Sequence, residues 1–107
     1  ATAQALINAQ IGTTYTIALT DAGYLITTSN ISAVSILIPT DATVAFPIGT
    51  QILVMQLGSG QVTVSAVTPG TTSVNSKNGT KTSGQYAIIS LIKVAANSWI
   101  VGGDATI

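Results

Sequence analysis

Six side chains carry all the ionic chemistry of this 107-residue chain: Lys77, Lys81 and Lys93, and Asp21, Asp41 and Asp104. Arg, Glu, His and Cys are absent. Without imidazole, thiol or paired carboxylates, one chain cannot assemble the usual sets for zinc or transition metals, for imidazole acid–base catalysis or for glycoside hydrolysis. No enzyme is expected, and no cofactor or metal. Each Asp stands beside small residues in a turn signal, where a carboxylate commonly accepts a local backbone N–H. A calcium site would gather several carboxylates, and these three lie in separate loops.

The lysines are scattered and the net charge is zero, so no basic patch exists to neutralise a row of phosphates or an anionic bilayer. Neither nucleic acid nor a membrane is an expected partner. No apolar run approaches about 18 residues, and no basic segment precedes a short apolar core, so neither a membrane span nor a signal peptide is expected. Ala1 is compatible with a trimmed initiator Met, and a complete small protein is the expectation.

What remains is recognition by neutral surface. The aromatic set is Tyr15, Tyr24, Phe46, Tyr86 and Trp99, and core or interface packing is its first reading. An exposed Trp99, or Lys77 and Lys81 about the Asn78-Gly79 turn, would instead begin a surface recognition site for a glycan. The sequons Asn30-Ile31-Ser32 and Asn78-Gly79-Thr80 carry no weight without a secretory route.

The elements that must position these residues are strands. Ile, Val and Thr make up 40 of the 107 residues, and their stiff χ1 suits a pleated surface better than a helix. Turn residues punctuate short apolar stretches, as in an all-β sandwich or jelly-roll-like barrel. Seven or eight strands are predicted, near Tyr15–Leu19, Tyr24–Thr28, Val34–Ile38, Gln51–Leu57, Gln61–Val67, Thr72–Ser76, Tyr86–Ala95 and Ser98–Val101. Alternation marks 15–19 and 61–65 as half-buried. Apolar residues on both parities in 52–55 and 87–92 predict strands covered on both faces. Gly58-Ser59-Gly60 predicts a three-residue hairpin loop, Asn78-Gly79 a type I′ turn at a loop tip, and Phe46-Pro47-Ile48-Gly49 a type I turn with Pro47 in its second place. Gly-Thr recurs at 12, 49, 70 and 79 without a common period, so no solenoid repeat is expected.

Residues 1–12 lack a cap and clean alternation and are expected to form an extended arm ahead of one sandwich domain at 13–107. With Leu6, Ile7 and Ile11 as its large apolar residues, the arm is expected to be held against another chain, adding a strand to a neighbour's sheet.

Only 6% of the chain is charged, against about 25% in ordinary soluble domains. A folded surface of about 5,500 Å² then carries roughly one charge per 900 Å². Such a domain has little defence against edge-to-edge strand pairing, which points to permanent assembly.

Several segments in order, Gly12-Thr13-Thr14-Tyr15-Thr16 with Asp21-Ala22-Gly23, Val44 to Thr50, Gln56 to Gln61, Gln85-Tyr86 with Leu91-Ile92-Lys93, and Trp99 to Asp104, resemble β modules of tailed-bacteriophage structural proteins. The similarity covers roughly residues 12 to 104 and transfers no catalytic residue. It implies a capsid cement (decoration) protein, on the outside of the virion, usually trimeric and bound to the major capsid protein. The alternative it implies is a tail-fibre or baseplate module that binds host-surface glycan. Free-standing length and the lack of an aromatic and acidic recognition cluster favour cement.

Overall fold

The structure, a computed structural model, describes residues 7–107. Its accessible surface is 5601 Å², close to the scaling expectation. The described chain is all-β, with eleven strands and one short 3-10 turn at Leu19–Asp21. The strands are β1 (Ile7–Gln10), β2 (Thr14–Thr16), β3 (Leu25–Thr28), β4 (Val34–Ile38), β5 (Gln51–Gln56), β6 (Val62–Ala66), β7 (Ser73–Ser76), β8 (Lys81–Thr82), β9 (Ile88–Ala95), β10 (Ser98–Gly103) and β11 (Ala105–Thr106). All eight predicted strands are present, seven of them with both ends within two residues; the first stops at Thr16, and Leu19, its predicted end, opens the 3-10 turn. β1, β8 and β11 lay outside the prediction, being short and without clean alternation.

Two mixed sheets share one core. The six-stranded sheet runs β1-β3-β5-β9-β10-β7 and the five-stranded sheet β11-β8-β6-β4-β2. Strands β1 to β6 alternate between the sheets, each parallel to the strand two before it. The first half of the chain is therefore coiled like a solenoid. Ile7 lies beside Leu25 and Leu25 beside Leu53, so one coil takes 18 residues and the next 28. Unequal coils leave no sequence period, which is why the repeat was not expected. The parallel pairings also exclude a jelly roll, which is antiparallel throughout. The second half adds antiparallel pairs, β9 with β5 and β8 with β6 and β11, beside one further parallel pair, β10 with β7; its one hairpin joins β9 and β10 through Ala96-Asn97, where Asn97 has φ of 50°.

The coil explains Gly58 and Gly60 differently from a hairpin. β5 and β6 belong to different sheets, so the loop between them is a corner. Corners stack: Leu57 N donates to Thr28 O at 2.7 Å, Gly60 N to Asn30 O at 2.9 Å, and Ser29 N to Gln10 O at 3.2 Å. Asn30 ties the same stack sideways, its Nδ2 donating to Ile11 O and its Oδ1 accepting from Ser32 N. A Cβ on Gly60 would sit 1.9 Å from Ser32 O, and one on Gly58 2.4 Å from Asn30 O. These glycines are required by the next corner's backbone, not by a positive φ. Asn78-Gly79 likewise links β7 to β8 across the two sheets and not as a hairpin. At the third turn Thr50 N donates to Pro47 O and Gly49 has φ of 94°. Pro47 is thus its first residue, one place earlier than predicted, and Gly49 fills the place where type II turns need positive φ.

The inner faces pack Ile26, Ile52, Val54, Ile89, Leu91, Trp99 and Val101 from one sheet against Val34, Ile36, Ile38, Val62 and Val64 from the other. Phe46 meets Trp99 edge-on, ring centroids 5.3 Å apart. Gln56 and Thr82 bridge the sheets through a buried side-chain hydrogen bond, and Thr82 Oγ1 also accepts from Val62 N at 3.0 Å.

Gly60→Ala is expected to lower unfolding free energy by more than about 2 kcal/mol, as for forced overpacking. Gly70→Ala, with nothing within 4 Å of its added Cβ, is expected to change stability by less than about 1 kcal/mol. Urea titration of the two variants checks the difference, and equal losses would contradict corner stacking.

Candidate functional site

The residues singled out in the sequence scatter. Trp99 is 1% exposed, its indole pressed against Phe46 in the shared core. It cannot present a ring to a glycan, and its place in a surface recognition site is withdrawn; core packing, its first reading, holds. Ile7 belongs to β1 and Ile11 to the corner that follows, with β1 paired to β3 over its whole length. Residues 7–10 are therefore an edge strand of the chain's own sheet and not a detached arm. Both isoleucines remain exposed, Ile7 at 64% and Ile11 at 79%. Leu6 lies outside the described residues.

Lys77 and Lys81 do come together. With Ser76, Gly79, Thr80 and Ile107 they line an open hollow of about 360 Å³. Asp104 is close by: Ser83 Oγ donates to its Oδ1 at 2.6 Å, and β11 pairs with β8 one residue further on.

Lys93 is the opposite case. It occupies an inward position of β9 and is 3% exposed. Its Nζ donates to Asp41 Oδ1 at 2.8 Å and to Phe46 O at 2.6 Å. Asp41 Oδ2 accepts from Asn97 N at 3.1 Å, and Asn97 Oδ1 accepts from Asp41 N at 2.8 Å. The hydrogen bond from Lys93 holds the Asp41 carboxyl below the usual carboxylate range, against a smaller opposing effect of burial. Asp41 was expected to accept a local N–H; it accepts one from 56 residues away instead. The partnership of Lys93 had no sequence signal beyond a lysine standing in an apolar run.

The third polar cluster joins the first two strands. Asp21 is buried, and its carboxylate accepts from Tyr15 Oη at 2.5 Å, Asn8 Nδ2 at 2.8 Å and Ala18 N at 2.8 Å. Burial first, and then the Asp21 carboxylate, push the Tyr15 phenol up to about 12. Among the described residues no three His, Cys, Asp or Glu side chains come together.

Setting aside buried Asp21 and the Lys93–Asp41 pair leaves Lys77, Lys81 and Asp104 as the charged side chains not in an ion pair among the described residues, all at the β7–β8–β11 corner. The two outer sheet faces differ sharply. Across the five-stranded sheet one row reads Thr14, Ser35, Thr63, Lys81, Thr106. Across the six-stranded sheet the matching rows read Ile7, Leu25, Leu53, Ser90 and Ala9, Thr27, Met55, Ile88. Strands β5 and β9 were expected to be covered on both faces; among the described residues only the inner face is covered, and Leu53, Ile88 and Val94 are 44%, 42% and 49% exposed. Neither a protein-family model nor a curated protein matches the chain.

Two outcomes follow. Asp41→Asn strands the deeply buried ammonium of Lys93 and is expected to cost about 3 kcal/mol. Lys93→Met, which leaves the better-solvated partner unpaired, is expected to cost less, and the ordering is read from denaturant midpoints. Because the Asp41 pKa is lowered on folding, its contribution is present above about pH 4 and is lost as pH falls through the folded value; Asp41→Asn should flatten that acid limb.

Tyr15 works at the other end of the scale. Its raised pKa means a contribution present below about pH 10, the unfolded value, and lost as pH rises through about 12. Alkaline unfolding followed by tyrosinate absorbance should show this step, and Tyr15→Phe should remove it.

Proposed function

We propose that this chain is a non-enzymatic structural protein of a tailed-phage virion, a cement protein on the capsid exterior. In this reading its two sheets form a sandwich-like body that assembles as a homotrimer over the major capsid protein. The observation that carries the reading is where the charges are. A domain kept dissolved alone normally distributes charge of both signs over its surface. Here the free charges occupy one corner, the five-stranded sheet shows water a row of hydroxyls, and the six-stranded sheet shows Ile, Leu and Met. Such a surface suits a body with one wet side and other sides enclosed by neighbours.

The order-specific likeness to phage β modules supplies the virion setting. Attachment through a detached arm is replaced by attachment through faces and edges. β1 has a partner on one side only among the described residues, and its Ile-Asn-Ala-Gln carries no charge that would repel an added strand. The fibre alternative loses Trp99 and retains only the hollow between Lys77 and Lys81.

Immunogold labelling with antibody raised against the purified chain discriminates the readings. Label over the whole head is the expected outcome. Label confined to the tail tip gives the fibre module, and particles without label overturn both.

A further inference from the structure

The outer face of the six-stranded sheet is the largest feature that the fold leaves unexplained. Its register brings Leu25, Leu53, Met55, Ile88, Ile92 and Ile100 onto one side, opposite the core residues of the same strands. Toward the ends of the strands Ile48 and Val94, and Leu57 and Tyr86, are exposed as well. No charged side chain lies on it, because Lys93, the one lysine of these strands, points inward.

We infer that this face docks against another copy of the same chain, in a closed assembly with the face at its symmetry axis. Two observations select that occupant. First, the face is neutral along its whole length, so a copy of itself meets it without desolvating any charge, whereas a partner with ordinary surface composition would bring charges to bury. Secondly, the main-chain groups of β3, β5, β9 and β10 are already paired within the sheet. An added strand has nowhere to join there, and side-chain packing of one face on another is what remains.

The hydroxyl row on the five-stranded sheet would then remain the solvent side. This inference rests on the assembly reading above and adds to it the surface and the partner.

The test uses the full chain. Sedimentation equilibrium at about 100 µM, well above the µM Kd that a weak specific interface gives, should return a small multiple of 10.8 kDa. Leu53→Lys and Ile88→Lys should each reduce the mass to one copy with an unchanged far-UV spectrum, and Thr63→Lys on the opposite sheet should leave it assembled. Should a lysine variant fail to fold, Ser90→Cys keeps the question open to an answer. It places the chain's one thiol in the middle of the face, and a short bis-maleimide should link copies through it. A single-copy wild type, a face variant that folds and still assembles, or an unlinked Ser90→Cys protein would overturn the inference. Immunogold outcomes are independent of these: labelled heads with a single-copy protein in solution would spare the virion reading and sink this one, and assembled protein without label would do the reverse.

Discussion

Main-chain hydrogen bonding between stacked coils is the constraint on which the rest of this structure depends. The chain has almost no ionic side chains with which to specify long-range contacts, so register is held by ladders and corners. Parallel ladders join β1 to β3 to β5 and β2 to β4 to β6, and the corners that follow β3 and β5 each donate N–H groups to the corner before. A one-residue slip of β4, for example, would turn Val34, Ile36 and Ile38 out of the core together, because side chains alternate with period two. Where coils touch most closely the side chain has to vanish, and Gly58 and Gly60 stand at those places. Parallel pairing needs crossovers and cannot be closed by tight turns, which accounts for the long connections that carry Asp21 and Asp41 to their partners.

Strand positions were legible in the sequence because β-branched runs and turn residues are local signals. Pairing was not. Gly58-Ser59-Gly60 has hairpin spacing, yet a corner between sheets asks for the same small residues, and only the approach of Asn30 and Ser32 from a coil earlier tells them apart. The unequal coils hid the repeat in the same way, since the connection from Ile38 to Gln51 is longer than the one from Thr16 to Leu25. Of the candidate site, Lys77 and Lys81 were readable as neighbours about one turn. Trp99 was not readable as inside or outside, because the alternation of Ser98-Trp99-Ile100-Val101 leaves the parity open until β9 and β7 are placed beside it. β1 escaped notice because Ile7-Asn8-Ala9-Gln10 becomes a strand only with β3 to pair with.

The buried ion pair shows how a charge-poor chain uses the charges it has. Replacing such a pair with apolar residues is often neutral for stability, so net stabilisation is a poor reason for its presence. Geometry is a better one. Lys93 reaches across from β9 to Asp41 and to the carbonyl of Phe46, and Asn97 clasps Asp41 from both its backbone and side chain. The connection from Ile38 to Gln51, the longest between the coiled strands, is thereby tied to the β9–β10 hairpin by four hydrogen bonds. That tie seats Phe46 against Trp99 and closes the end of the core. A shorter apolar side chain at position 93 could fill volume but could not select this loop path over another.

The same economy bears on the two outer faces. Thr on the five-stranded sheet has β propensity, and with Ser it has hydrogen-bonding capacity to water, so that face can stay wet without charge. Ile on the six-stranded sheet has the propensity alone, and Leu and Met beside it add only apolar surface. If β propensity were the only requirement, hydroxyl residues would serve both faces, and the chain has them in plenty: 17 of its residues are Thr. The unbroken polar row on one sheet against the run of Ile, Leu and Met on the other, where Thr27 and Ser90 are interspersed, together with the confinement of Lys77, Lys81 and Asp104 to a single corner, is a pattern that folding of one chain does not demand. Under the assembly proposed above, a surface to be covered by a neighbour accounts for it.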